Sequence, residues 1–206
     1  MLINIKRNRI YMDFDKAVST VIDGHTLEYG VINGNENIFF IKCGAGGDIR
    51  GYDDKYLKMA RRINDSLGAT VVCSSYPYPT DDSLLEYDEA LIKKLMAKFD
   101  VPCTLSFIGS SRGAYVGLTY FSRKFKISKM LLINMPLMIN FHKSVEALQG
   151  LSDAKVTFVY GERDPSVGYI PYLRLYHDNV VTVCGADHTF EGMNDKFIVL
   201  SDLIVN

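Results

Sequence analysis

From residue 38 onward, short apolar runs alternate with segments whose apolar residues recur every three or four positions. The runs at 38–41, 69–73, 104–108, 129–134, 156–160 and 180–183 are continuous rather than alternating, as in strands buried on both faces. Between them, Tyr56, Ala60, Ile63 and Leu67 share one helical face, and Leu84, Tyr87, Leu91, Leu95 and Phe99 mark another. Further helices are predicted over 112–125, near 141–151 and over 169–176, with a final one presenting Met193, Phe197, Leu200 and Ile204. Strands that alternate with helices predict an α/β fold, its mostly parallel sheet covered by helices on both faces. Residues 1–37 read differently: strand-like patches at 3–10 and 26–32, with turn chemistry in Asp23-Gly24-His25, predict an antiparallel opening. No linker, repeat or low-complexity stretch interrupts the pattern, so residues 1–206 are expected to form a single domain.

Composition narrows the class. Hydrophobic residues make up 48% of the chain and the formal net charge is −1, which gives no electrostatic reason to expect a nucleic-acid or membrane partner. The basic clusters Lys6-Arg7-Arg9, Arg61-Arg62 and Arg123-Lys124-Lys126 read as solvated surface. Cys43, Cys73, Cys103 and Cys184 form no C-x-x-C pair and sit in or beside apolar runs, so reduced, mostly buried thiols are expected. Charge at Lys6 comes too early for a signal peptide, and the apolar stretch 130–141 is too short and too broken to span a bilayer. A cytoplasmic location is the expectation. Oligomeric state is not legible.

The candidate chemistry collects where strands end, which is where sites form in open α/β sheets. The 38–41 run is followed by Cys43-Gly44-Ala45-Gly46-Gly47, and the 104–108 run by Gly109-Ser110-Ser111-Arg112-Gly113. Gly161-Glu162-Arg163-Asp164-Pro165 follows the 156–160 run, and Cys184-Gly185-Ala186-Asp187-His188 follows the last strand. A serine at the centre of G-x-S-x-G, between strand and helix, has the sequence form of a nucleophile elbow, and the register selects Ser111 over Ser110. Glycines at 109 and 113 suit a strained turn in which helix and strand approach closely. Glu162 and Asp178 compete with Asp164 as the acid, while Asp153 precedes its strand and falls at the wrong end. Among the histidines only His188 closely follows a strand and a glycine near the end of the sequence; His25 sits in a turn, and His142 and His177 lie in helical segments. A dinucleotide cradle is disfavoured, because a third glycine is missing at Ile49 and Ser74-Ser75 stands where an acidic residue belongs.

In this order the residues resemble the α/β-hydrolase superfamily, whose triad runs Ser, Asp or Glu, then His along the chain. The resemblance covers residues from 38 to the end. It implies an α/β-hydrolase fold with a central sheet of about eight strands and antiparallel N-terminal strands. It also implies Ser111 as nucleophile, Asp164 as acid and His188 as base, with backbone N–H groups of Ala45 and Arg112 as the oxyanion hole. Cys43-Gly44 stands where many members carry His-Gly. Between Pro136 and Val156 there is room for one helix and no cap domain, so an open site is expected. Its pocket is expected to involve Cys43, Gly44, Tyr76, Met135 and Leu137, with Tyr78 and Met138 nearby. Such a site suits a small-molecule acyl substrate with a short or exposed acyl group, cleaved without a metal or organic cofactor. The same fold without catalysis, as a binding module, and the same triad acting on an amide or peptide are the rival readings.

Overall fold

The computed structural model describes residues 13–78, 80–151 and 153–205. The expected strand at 3–10 lies outside these. Eight strands form one sheet: β1 (Lys16–Ile22), β2 (His25–Ile32), β3 (Asn35–Lys42), β4 (Ala69–Ser74), β5 (Thr104–Ser110), β6 (Lys129–Ile133), β7 (Lys155–Gly161) and β8 (Val180–Val183). Their spatial order is β1-β2-β4-β3-β5-β6-β7-β8. β1 pairs antiparallel with β2, and β2 antiparallel with β4; every later pair is parallel.

The turn residues Asp23 and Gly24 join β1 to β2, both with positive φ (49° and 81°), as a tight hairpin requires. β1 is an edge strand with six of its seven residues exposed, so no apolar alternation marks it in the sequence. It lies beside β2, over residues to which the apolar pattern assigns no element.

Alternation along the buried strands separates two layers. Phe40, Phe107, Leu132 and Phe158 point to one face, where they meet α2 (Leu85–Met96), α5 (Phe141–Gln149), α6 (Ile170–Leu173) and the helix after β5. Phe39, Ile41, Val71, Ile108, Leu131 and Val159 point to the other, packed by α1 (Lys55–Leu67), α7 (Asn194–Val199) and α8 (Asp202–Val205). The helix after β5 runs as α3 (Arg112–Val116), a π turn over Gly117–Phe121, and α4 (Ser122–Lys124).

Several sequence expectations shift in detail. On α2 the buried face is Leu85, Asp88, Ile92 and Leu95, with Tyr87 exposed. The helix is turned so that the Asp88 carboxylate reaches the Lys42 ammonium at 2.7 Å inside the core. The final helix is divided into α7 and α8, which still bury Phe197 and Ile204, with Leu200 buried between them. Over 169–176 only Ile170–Leu173 is α-helical, after a 3-10 turn at Pro165–Tyr169. Cys43 and Cys73 are buried thiols, but Cys184 is exposed, because β8 is the far edge of the sheet. Between β6 and β7 the described chain carries α5 and loops, with no cap domain. Among the described residues no helix is long and apolar enough to cross a membrane.

Candidate active site

The carboxyl ends of β3, β5, β7 and β8 converge on Ser111. This residue has φ 52° and ψ −122°, a conformation that side-chain-bearing residues rarely adopt and that marks a strained turn. A bond from Ser111 N–H to the Ile133 carbonyl of β6 (2.8 Å) helps to hold it. The flanking glycines are steric requirements: a Cβ at Gly109 would meet the backbone of Ala114, and one at Gly113 the Lys42 and Cys43 carbonyls of β3 and its extension. The elbow helix therefore lies directly on the start of the glycine loop.

Ser111 Oγ lies 2.8 Å from His188 Nε2, and His188 Nδ1 lies 2.5 Å from Asp164 Oδ2. A carboxylate can only accept, so Nδ1 carries the hydrogen and Nε2 presents its lone pair to the serine hydroxyl. The Asp164 side chain is fully buried while His188 is partly open to solvent. The other oxygen of Asp164 accepts from Ser166 N–H at 2.6 Å, which fixes the carboxylate at the mouth of the Pro165–Tyr169 turn. The competing acids stand elsewhere: Glu162 accepts from Gly185 N–H at 2.8 Å on the exposed rim. Of the other histidines, His177 bonds the Val156 carbonyl, His25 opens β2 and His142 lies in α5.

The glycine loop is tied to the extension of β4. Cys43 N–H donates to Ser74 O, Gly46 N–H to Tyr76 O, and Tyr76 N–H to Gly47 O. Gly44 faces the nucleophile, and a Cβ there would stand 3.1 Å from that of Ser111. Gly46 and Gly47 N–H groups are engaged, whereas no described backbone bond takes the N–H of Ala45. Arg112 begins its helix, so its N–H has no preceding turn to bond. The arrangement thus offers two backbone donors beside a serine–imidazole–carboxylate chain.

Next to this chain lies a cavity of about 210 Å³ lined by the glycine loop, Lys55, Tyr56, Ser110, Ser111, His188 and Thr189. Gly44 lines it. Cys43, Tyr76, Met135 and Leu137 do not, being packed in the core at 0% exposure. The Cys43 thiol donates to Asp48 O, and burial pushes it well above the ordinary thiol range. Tyr76 donates to Asp82 Oδ1 at 2.6 Å, Met138 is partly exposed and Tyr78 is largely exposed. Among the described residues no group of three or more His, Cys, Asp or Glu side chains converges as metal ligands would.

Three residues at the site have partners that the sequence does not show. Asn134, at the end of β6 with φ 48° and no exposure, donates to the carbonyls of Asp187 (3.1 Å) and His188 (2.8 Å) and accepts from Gly161 N–H (2.8 Å). One side chain therefore ties the strand end of the acid to the loop of the histidine. Tyr56 forms a cavity wall; burial pushes its phenol up, while hydrogen bonding with Ser110 and the Gly44 backbone pulls the other way. Lys55 is the third. Asn134 shows in the sequence only as a polar residue breaking an apolar run and Tyr56 only as an apolar position on a helix face, and neither signal says anything about partners.

No sequence family model and no curated protein matches the chain. Its architecture is nevertheless shared with solved structures. Est1E from Butyrivibrio proteoclasticus superposes with a TM-score of 0.70 at 13% identity, covering 91% of this chain and 96% of that one. An alpha-beta serine hydrolase homologue from Coxiella burnetii gives 0.69 at 18% identity, over 95% and 98% of the two chains. An a/b serine hydrolase without lid from Xanthomonas campestris gives 0.65 at 16% identity, over 91% and 92%. The chain has the α/β-hydrolase fold.

Proposed function

We propose that this α/β-hydrolase-fold protein is a serine hydrolase that cleaves a carboxylic ester or thioester of a small molecule through an acyl-Ser111 intermediate. The observation that carries the reading is the unbroken chain from Ser111 Oγ through His188 to the buried Asp164 carboxylate. Serine is a poor nucleophile on its own, and the imidazole supplies the base it needs. As Ser111 Oγ bonds the carbonyl carbon, His188 Nε2 takes its proton and Asp164 stabilises the imidazolium. The carbonyl oxygen, now an alkoxide, receives the N–H groups of Ala45 and Arg112; one such donor is typically worth about 3 kcal/mol of barrier. Collapse of the intermediate expels the alcohol or thiol, which leaves with the proton from His188. A water then attacks the acyl-serine, gives its proton to His188, and the acid departs as Ser111 Oγ recovers that proton. The open rim, without a cap domain, favours a short acyl group or the exposed ester of a larger molecule.

Labelling with a fluorophosphonate probe tests the nucleophile. The wild-type protein should react at Ser111 and Ser111→Ala should not, with ester turnover in the variant reduced at least about 10⁴-fold. Folded wild-type protein that resists the probe would instead be a silent binding module. An acyl-chain series then tests the open site, and a clear preference for long-chain esters would overturn that part of the reading.

A further inference from the structure

Lys55, in the first turn of α1, is 8% exposed and lines the same cavity as Ser111 and His188. Its ammonium has three donors. One meets the Thr189 carbonyl at 2.8 Å, and the charge lies over the rings of Phe197 (4.7 Å to the centroid) and Tyr56 (5.5 Å). Among the described residues no carboxylate stands within ion-pair distance of it. Asp187 favours the ammonium from a distance without pairing with it, and its Oδ1 is spent on the N–H groups of Thr189 and Glu191. Its place in the helix does not help either, since the first turn is the end that disfavours cations. Burial holds the Lys55 ammonium below the usual lysine range, with Cys43 and Asp187 opposing.

A buried cation without a counter-charge is expensive unless something supplies one. The cavity is where that something can stand. Building on the serine-hydrolase reading, we infer that Lys55 is a specificity-determining cation whose partner is a carboxylate on the substrate, a few atoms from the scissile carbonyl. Lys55 lines the same small cavity as Ser111 and His188, so a carboxylate that meets it sits on a short arm from the scissile carbonyl. The carboxylate can belong to the acyl half, as in a hemiester of a short dicarboxylic acid, or to the alcohol half, as in the acetyl ester of a hydroxy acid.

Two matched pairs separate these sources: ethyl hydrogen succinate against diethyl succinate, and acetoxyacetate against acetoxyacetamide. The wild type should favour the charged member of one pair by about tenfold or more in kcat/KM, the scale of one charge-assisted hydrogen bond. Lys55→Met should abolish that preference, read as the ratio of kcat/KM between the charged and neutral members, and Lys55→Arg should keep it. Succinate should also slow fluorophosphonate labelling of the wild type, whereas succinamide should not; this measurement needs no variant. Equal rates on both members of both pairs would overturn the inference. So would a Lys55→Met variant that loses charged and neutral substrates alike, which would make Lys55 only a tie to the histidine loop. A wild type that is not labelled at all removes the hydrolase reading itself, a failure distinct from a labelled enzyme that ignores charge.

Discussion

Two buried lysines flank the glycine loop, and their surroundings differ in one respect. Lys42, the last residue of β3, is 1% exposed and lies 2.7 Å from the Asp88 carboxylate, with Ser74 Oγ at 3.0 Å and the Ser75 carbonyl at 2.6 Å. The Tyr76 ring closes over it at 4.6 Å. Lys55, on the other side of the loop, has one carbonyl, two rings and an open cavity. The first lysine is completed by its own protein, so it belongs to the scaffold that aims the loop. The second is completed only when something enters. Burial by itself therefore does not separate a structural charge from a functional one; the inventory of partners does.

The largest expected effect comes from uncompensating the first lysine. Asp88→Ala should cost about 3–5 kcal/mol in urea unfolding, because it strands an ammonium in the core. Replacing both partners, as Lys42→Met with Asp88→Leu, should recover most of that loss. A double variant as unstable as the single one would show that the pair contributes more than mutual compensation. Lys55→Met should behave in the opposite way and change stability by no more than about 1 kcal/mol, since relief of desolvation offsets the lost bond to Thr189. The sign with pH distinguishes the two as well. The folded Lys55 ammonium titrates below the ordinary 10.5, so the unfolded chain binds more protons in the window between, and wild-type stability gains from this residue as pH rises through it. Lys55→Met should lack that gain, as read from unfolding curves across the alkaline range.

The next effect tests whether the histidine loop needs Lys55 as a tie. That loop is held from the opposite side by Asn134, through the carbonyls of Asp187 and His188. Asn134→Ala leaves those acceptors and Gly161 N–H unpaired in the interior, so a loss of about 2–3 kcal/mol is expected. Because it releases His188 rather than any substrate contact, kcat should fall about tenfold or more on charged and neutral esters alike. Kinetics on the same matched pairs supply the comparison with Lys55→Met. Identical profiles for the two variants would erase the distinction between a tie and a specificity residue.

This contrast also marks where the sequence was legible. The strands β3 to β7 announce themselves because each is largely buried on both faces, and Ser111, Asp164 and His188 follow β5, β7 and β8 in a recognisable order. Their adjacency follows from topology, and topology is written in alternation. What the sequence hides is pairing. Lys42 meets a residue on α2, and Lys55 meets one 134 positions away, so neither looks different from a surface lysine in its local window. Asp88 hides in the same way: Tyr87 is the better apolar candidate on α2, yet the buried face carries Asp88, paired with Lys42, and Tyr87 lies outside. β1 was invisible for the converse reason, being an edge strand exposed on both faces, with no apolar alternation to read.

The smallest expected effect lies at the rim, where Asp82 accepts from Arg112 Nη2 at 3.0 and 2.8 Å and from Tyr76 at 2.6 Å. Arg112 makes this pair on the residue whose backbone N–H faces the reacting carbonyl in the proposed mechanism, so the bridge invites a catalytic explanation. Its exposure argues otherwise: the Asp82 side chain is 56% exposed, and solvent-screened pairs contribute about 0–1 kcal/mol. Burial alone would raise the Asp82 carboxyl, but the bonds from Tyr76 and Arg112 outweigh it and leave it lowered. A lowered carboxyl stabilises the fold above the ordinary 3.8 and loses that contribution as pH falls through its folded value. Asp82→Asn should therefore trail the wild type slightly at neutral pH and match it in acid, as measured by urea unfolding at each pH. Turnover should stay within about twofold, because the helix start fixes the Arg112 N–H whatever its side chain does. A tenfold loss of kcat in this variant would mean that the bridge holds the oxyanion donor in place, and that at this rim a half-exposed pair does what the buried Lys42 pair does on the other side of the loop.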